Sequence, residues 1–272
     1  MTQAFQGRVL VIAGSDSGGG AGIQADIKTI TALGGYAATA ITAVTVQNTL
    51  GVTGVHPIPL ETIAAQARAV LDDIGADAIK TGMLGDVAVV ETVAAALDHA
   101  AGVPAVIDPV MVAKGGASLL AEAAIGAVKS LMIPRAALLT PNAPEAAALT
   151  GLTVETTDDL RRAGEALLAM GARAVLMKGG HILPSQEGGD RMVDVLMTSS
   201  GETSFEGERI DTRHTHGTGC TLASACAAGL AQGLPLEQAV ARAWNYVHEA
   251  MLRAPGFGAG HGPLDHGWTL RK

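Results

Sequence analysis

Residues 212–233, TRHTHGTGCTLASACAAGLAQG, join a glycine loop to an alanine-rich run with helical character. Gly217, Thr218 and Gly219 leave backbone N–H groups unpaired where the helix begins, and the helix dipole adds partial positive charge there. An anion binds such a place without needing a basic side chain. Cys220 stands at its mouth, where a helix N-terminus lowers a thiol's pKa and favours the thiolate. The stretch therefore offers a cradle for developing negative charge beside a base or nucleophile. A glycine turn leading into a helix is also ordinary turn chemistry. It is not a Walker A loop, because no Gly-Lys-Ser/Thr follows.

Further chemistry-bearing residues fall where apolar runs end. The apolar run 8–13 stops at GSDSGGGAG, residues 14–22, a backbone-lined wall beginning at Gly14 or simply a flexible turn. Asp26 lies in the first turns of the helix expected over 23–33 and faces the same end; a lone helical Asp is more often a solvated surface charge. Gln47-Asn48-Thr49 ends a β-branched run, where the pair could bond a heterocycle or shape a turn. Met83 sits in a glycine-flanked turn, fit to cover a planar ligand or to pack a loop. Asp108, followed by Pro109 and Val110, ends a short buried strand, where α/β sheets place functional carboxylates. Asn142 and Glu145 follow another strand; Asn-x-x-Glu is equally a helix cap with a first-turn carboxylate. Lys178 follows a further strand, available to a phosphate or to solvent.

The elements that carry these residues alternate strand and helix. Helices are expected over 60–74, 86–101, 118–129, 157–170 and 236–253, with strands at 36–46, 51–56, 77–80, 104–107, 137–139 and 174–177. A hairpin is expected over 190–209, either covering a nucleotide or forming an ordinary sheet edge. This alternation predicts a mostly parallel sheet with helices on both faces. The 272 residues show no internal repeat or linker, so one domain, 1–272, is the simplest organisation. Hydrophobic residues are 48% and aromatics 3%, so the core must be aliphatic. A net charge of −8 without a basic block argues against nucleic acid or an anionic membrane as partner. Two cysteines six apart in one helical run argue against a disulfide framework and for a reducing compartment. The first residues lack the apolar segment of a secretory signal, and no apolar run approaches the ~20 residues of a membrane span.

Taken together, GSDSGGGAGIQADIK (14–28), QNT (47–49), KTGML (80–84), DPVM (108–111), TPNAPE (140–145), MKGGH (177–181) and THGTGC (215–220) occur in an order that resembles the hydroxymethylpyrimidine/phosphomethylpyrimidine kinases. These are thiamine-pathway members of the ribokinase-like superfamily, and the resemblance runs from about residue 8 to the end of the chain. It implies a three-layer α/β/α sandwich with a central, mostly parallel sheet. It implies ATP-dependent phosphorylation of 4-amino-5-hydroxymethyl-2-methylpyrimidine, then of its monophosphate, toward thiamine diphosphate. By the same resemblance Gly14, Asp26, Gln47, Met83 and Val110 would form the pyrimidine pocket. Asp108 and Glu145 would hold or orient Mg²⁺, directly or through water. Asn142 and Lys178 would face the nucleotide phosphates, and Gly217, Thr218, Gly219 and the Cys220 amide would form the anion hole. Cys220 would be the base, where wider relatives carry Asp. His214 stands where relatives often have Asn or Asp. Small-molecule substrates, a homodimer and the cytoplasm complete the expectation.

Three other readings follow from the same residues. A pyridoxal or pyridoxine kinase of this fold would accept another hydroxymethyl-bearing ring. A nicotinamide-binding oxidoreductase is suggested by the first glycine loop, against poor spacing and no acidic residue for a ribose. A metal-binding module could use His214, His216 and Cys220, though no fourth ligand is apparent. Cys226 is expected to pack within its helix.

Overall fold

Strand β1 (Arg8–Ser15) reads RVLVIAGS, and its residues Val9–Ala13 are buried on both faces. Such a run must be covered from two sides, as parallel central strands are. Leu10 and Ile12 point into one core with Ile63, Val90, Ile107, Leu139 and Leu160. Val9, Val11 and Ala13 point into a second, with Ile30, Val106, Leu138, Ala227 and Val240. Ile12 is wholly buried. Ile12→Ala is expected to lower the unfolding free energy by about 2–5 kcal/mol, measured by urea denaturation.

The computed structural model describes residues 6–111, 119–182 and 191–271. Its remaining strands are β2 (Tyr36–Asn48), β3 (Gly51–Pro57), β4 (Ala78–Thr81), β5 (Ala105–Ile107), β6 (Leu138–Leu139), β7 (Ala174–Met177), β8 (Arg191–Thr198) and β9 (Gly201–Glu208). They form one nine-stranded sheet in the order β3-β2-β1-β4-β5-β6-β7-β8-β9. Strands β2 to β7 of that order run parallel, and β3, β8 and β9 join by antiparallel pairing. Helices α2 (Leu60–Ala69), α3 (Val87–His99), α4 (Ala124–Ala127), α5 (Ala143–Thr150) and α6 (Thr157–Ala169) supply the first core. Helices α1 (Gly22–Ala32), α7 (Thr218–Ala231) and α8 (Leu236–Leu252) supply the second. The expected three-layer sandwich is the architecture observed. Among the described residues, no helix is long and apolar enough to cross a membrane.

The sheet order reverses beside β1: the chain steps outward to β2 and later returns to β4 on the other side. Ligands of open parallel sheets sit at such a reversal, beyond the carboxyl ends of the strands. The loops after β1, β4, β5, β6 and β7 all open there.

Local differences from the sequence reading have physical causes. Ser118, the expected start of the 118–129 helix, lies outside the described residues; the observed helical turns begin at Ala124, widen into a π turn at Val128–Met132 and end in a 3-10 turn holding Pro134. Proline removes a donor and crowds the preceding turn, so the helix stops there. Helix α5 follows the cap that Asn142-x-x-Glu145 offers, while its alanine-rich body gives too little periodicity to mark its extent. Asp190, the expected start of the hairpin, also lies outside the described residues; Arg191–Glu208 form an edge hairpin turning at Ser199-Ser200.

Candidate active site

Helix α7 begins at Thr218, with Gly217 as its N-cap at φ +87° and no side-chain capping bond. The loop is closed by the Thr218 hydroxyl donating to Thr215 O (3.1 Å) and the Thr221 hydroxyl to Gly217 O (2.7 Å). Helix geometry leaves the first N–H groups, Gly219 and Cys220 among them, without intrahelical acceptors. Glycine is required at 217 for two reasons. The left-handed φ favours it, and a Cβ there would stand 1.8 Å from Gly20 O. Gly217→Ala is expected to push the two loops apart and reduce kcat by ~10²-fold, with circular dichroism retained.

Against this loop lies a cluster of charge. Asp108 is buried just beyond β5 and accepts from the Thr140 hydroxyl (3.1 Å) and from Lys178 Nζ (3.1 Å). Lys178 Nζ is also 3.8 Å from Glu145 Oε2. A Cβ built on Gly219 would come within 3.3 Å of Lys178 Nζ and 3.6 Å of Asp108 Oδ2, so the cluster abuts the start of α7. Burial works against the Lys178 charge, but Asp108 and Glu145 outweigh it and hold the ammonium above its usual pKa.

Asn142 and Glu145 are the cap that their spacing allowed, and more. Glu145 N donates to Asn142 Oδ1 (2.9 Å), and Asn142 N donates to Glu145 Oε2 (2.8 Å), a full capping box on α5. The cap occupies the Asn142 side-chain oxygen, so its NH₂ is what remains for a phosphate. It also fixes the Glu145 carboxylate beside Lys178. Burial raises the Glu145 pKa to about 7, with Lys178 opposing and Asp108 adding. A folded pKa above the unfolded one means stability that is present at acid pH and lost as pH rises through about 7. In metal-free protein, Glu145→Gln is expected to flatten this fall of Tm with pH, measured by thermal denaturation across the acid to mildly alkaline range.

On the other side of Cys220 the structure corrects two expectations. Asp26 is not a solvated charge, nor does it line an open wall. It is wholly buried, with both oxygens 2.9 Å from Lys80 Nζ and Oδ1 accepting from the Ser224 hydroxyl at 2.6 Å. A carboxylate on the inward face of α1 is tolerable only when paired and hydrogen-bonded. Nor does the helix N-terminus depress Cys220. Burial pushes its thiol up to about 11, against the attraction of Lys80 and an N–H from Gly22.

The other expected residues stand close by. A Cβ on Gly14 would lie 2.3 Å from Met83 Cε, so the Met83 side chain closes over the Gly14 backbone. The Met83 turn is held by the Thr42 hydroxyl donating to Met83 O (2.8 Å). Val110 is half-buried two residues after Asp108. Gln47, also half-buried, has its side-chain amide 3.1 Å from Thr45 Oγ1 and 3.4 Å from His216 Nε2. Cys226 packs in the core, as expected. His216 Nε2 lies 2.8 Å from Asp16 Oδ2, while His214 Nδ1 is buried without a hydrogen-bond partner. Among the described residues, no group of three or more His, Cys, Asp or Glu could hold a metal.

Sequence reasoning overlooked Asp16, Lys80 and Ser224. Lys80 carried a signal: a charge inside the apolar strand AIKT is rarely buried unless paired. Asp16 carried another, an Asp heading a glycine run, where its carboxylate can collect backbone N–H groups. Ser224 carried none.

The chain matches a family model described as phosphomethylpyrimidine kinase over residues 16–265. It is 49% identical over 259 residues to the hydroxymethylpyrimidine/phosphomethylpyrimidine kinase of Bacillus subtilis, covering 95% of this chain and 94% of that protein. It is 51% identical over 262 residues to the enzyme of the same name from Streptomyces coelicolor, covering 96% and 95%. Among solved structures, an ADP complex of Bacillus subtilis pyridoxal kinase superposes with a TM-score of 0.88 at 37% identity, covering 96% of this chain and 97% of that one.

Proposed function

The chain belongs to the phosphomethylpyrimidine kinase family, and from that premise we propose how its site performs the two transfers. The enzyme is a hydroxymethylpyrimidine and phosphomethylpyrimidine kinase. It moves the γ-phosphate of ATP to the hydroxymethyl oxygen of the aminopyrimidine and then adds a second phosphate, toward thiamine diphosphate. The observation that carries the site reading is the Asp108–Lys178–Glu145 cluster set against the N-terminus of α7. Phosphoryl transfer needs positioning and charge stabilisation more than covalent chemistry, and this arrangement supplies both.

The backbone N–H groups of the Gly217–Cys220 turn face the transferring phosphoryl oxygens. Lys178 adds a fixed charge there, with the Asn142 NH₂ beside it. Gly14, Gln47, Met83 and Val110 line the pyrimidine, the amide pairing its polar edge and Met83 and Val110 packing its faces. Asp26 enters this pocket only through Lys80. Cys220 accepts the hydroxymethyl proton in the first transfer, and the high thiol pKa makes it a strong but seldom ionised base.

Asp108 and Glu145 fit a hard divalent cation. They offer only oxygen, and an ammonium already lies between them. Two carboxylates are too few for an all-protein cage, which suits Mg²⁺ retaining waters and binding phosphate oxygens. When bound, Mg²⁺ would offset the phosphate charge at this place.

A homodimer in the cytoplasm completes the proposal. Support for the dimer is the β2–β3 hairpin, where Val44 and Val46 are exposed on one face of β2, Val55 on the other face and Leu50 at the turn. Pyridoxal phosphorylation is the second reading, favoured by the similarity to pyridoxal kinase. An ATP-to-ADP coupled assay with hydroxymethylpyrimidine, its monophosphate and pyridoxal, each with and without Mg²⁺, separates the readings. Mg²⁺-dependent turnover of both pyrimidines is expected. Turnover of pyridoxal alone would overturn the pyrimidine pocket.

A further inference from the structure

Asp16 and His216 are 200 residues apart in sequence and both buried, yet their side chains meet at 2.8 Å. Asp16 gathers the first glycine loop on itself. Its carboxylate accepts backbone N–H from Gly18 (2.8 Å), Gly20 (3.0 Å) and Ala21 (2.8 Å). His216 immediately precedes Gly217, the cap of α7, and its own N–H is held by Gly262 O at 3.1 Å. The two loops touch around this pair: a Cβ on Gly20 would lie 2.5 Å from His216 Cδ2. Ser17, beside Asp16, ties the same loop to β2 by donating to Gln47 O (2.7 Å) and accepting from Gln47 N (2.8 Å).

We propose that Asp16 and His216 are a positioning pair, which locks the anion-binding turn of α7 against the first glycine loop and sets the orientation of the Gln47 side-chain amide. The proposal rests on the kinase reading above only for the roles of the turn and of Gln47. Its chemistry follows from counting hydrogens. Asp16 collects N–H groups, and its carboxyl is held below the usual range: burial opposes ionisation, but His216 and the loop N–H bonds outweigh it. Asp16 is therefore an acceptor, so His216 carries a proton on Nε2 and donates it. The Gln47 amide atom facing that nitrogen at 3.4 Å must then accept. As placed, Gln47 Oε1 faces Thr45 Oγ1 at 3.1 Å and Nε2 faces the His216 Nε2–H, so neither contact pairs a donor with an acceptor; exchanging the two ends of the amide puts the carbonyl oxygen toward His216 and the NH₂ toward Thr45. Thr45 agrees. Its single hydroxyl hydrogen goes to Ser15 O at 2.7 Å, which leaves Thr45 Oγ1 an acceptor toward Gln47. The orientation of the amide fixes which edge it offers an aminopyrimidine.

Two experiments test the pair. A long-range ¹H–¹⁵N spectrum of the substrate-free protein, with His216 assigned by comparison with His216→Gln, is expected to show the proton on Nε2. A bare Nε2 would overturn the proposal, and this readout needs no turnover, so it fails independently of the kinase reading. In kinetics, His216→Leu is expected to lose ~100-fold in kcat/KM for hydroxymethylpyrimidine, with the KM for ATP changed less than about threefold. His216→Gln keeps a donor and is expected to recover to within about tenfold of the wild type. The Asp16→Asn and His216→Leu effects should not add when combined, since both break one interaction. Equal loss in the Leu and Gln variants, or additive effects, would overturn the pair. If His216→Leu does not fold, the Nε2 spectrum and the Asp16→Asn/His216→Gln combination decide the question on the same criteria.

Discussion

Cys220→Ala should slow the first phosphoryl transfer by ~10²–10⁴-fold, the usual worth of a positioned base, and leave the second within about tenfold. The asymmetry comes from the acceptors. An alcohol keeps its proton at neutral pH, so the hydroxymethyl oxygen needs a base as it attacks. A phosphate monoester has a second pKa near ~6 and is already largely anionic. The raised Cys220 pKa sharpens the prediction. A thiol titrating at about 11 is ionised in only about one molecule in ten thousand at about pH 7 and about one in a thousand at about pH 8. The first transfer should therefore quicken as pH rises toward that value, by about tenfold per pH unit. The second transfer, and the first transfer in Cys220→Ala, should lack that slope. Single-turnover assays with each substrate across pH measure this directly. Equal loss of both transfers would refute the base role and leave only the Cys220 backbone N–H in the anion hole.

Asp26→Ala should destabilise the protein by ~3–5 kcal/mol, because it strands the Lys80 ammonium in the core. Lys80 is wholly buried, and Asp26 supplies both of its 2.9 Å contacts. Replacing both partners, as Asp26→Leu with Lys80→Met, should recover most of the stability, since an apolar pair needs no desolvation. It should not recover the first transfer. Lys80 lies close enough to Cys220 to favour its thiolate, and Asp26 is bonded to Ser224 on the helix that carries Cys220. Urea denaturation and single-turnover kinetics on the same variants separate the two effects. A double variant with normal first transfer would show that the pair serves folding alone.

Alternating apolar runs and glycine turns were legible, because parallel strands buried on both faces leave a continuous apolar signature, as in RVLVIA. The polar ends of those strands were legible for the same reason: Asp108, Asn142 and Lys178 stand where the apolar runs stop. Asn142-x-x-Glu145 was legible as a cap, since its reciprocal bonds are local. The hairpin register and the extent of α4 were less so, because turns and helix ends depend on weak local preferences.

Short-range patterns in the chain are enough for the layered α/β architecture, the glycine turn ahead of α7 and the family to which the chain belongs. Those patterns are periodicity, glycines before a helix, and motifs in a fixed order. The tertiary structure alone decided which distant charges meet. Asp26 finds Lys80 54 residues away and Ser224 198 residues away, and Asp16 finds His216 200 residues away. No local pattern specifies such pairs. It also decided the ionisation of Cys220, where the helix terminus that the sequence announces is outweighed by burial that only packing creates.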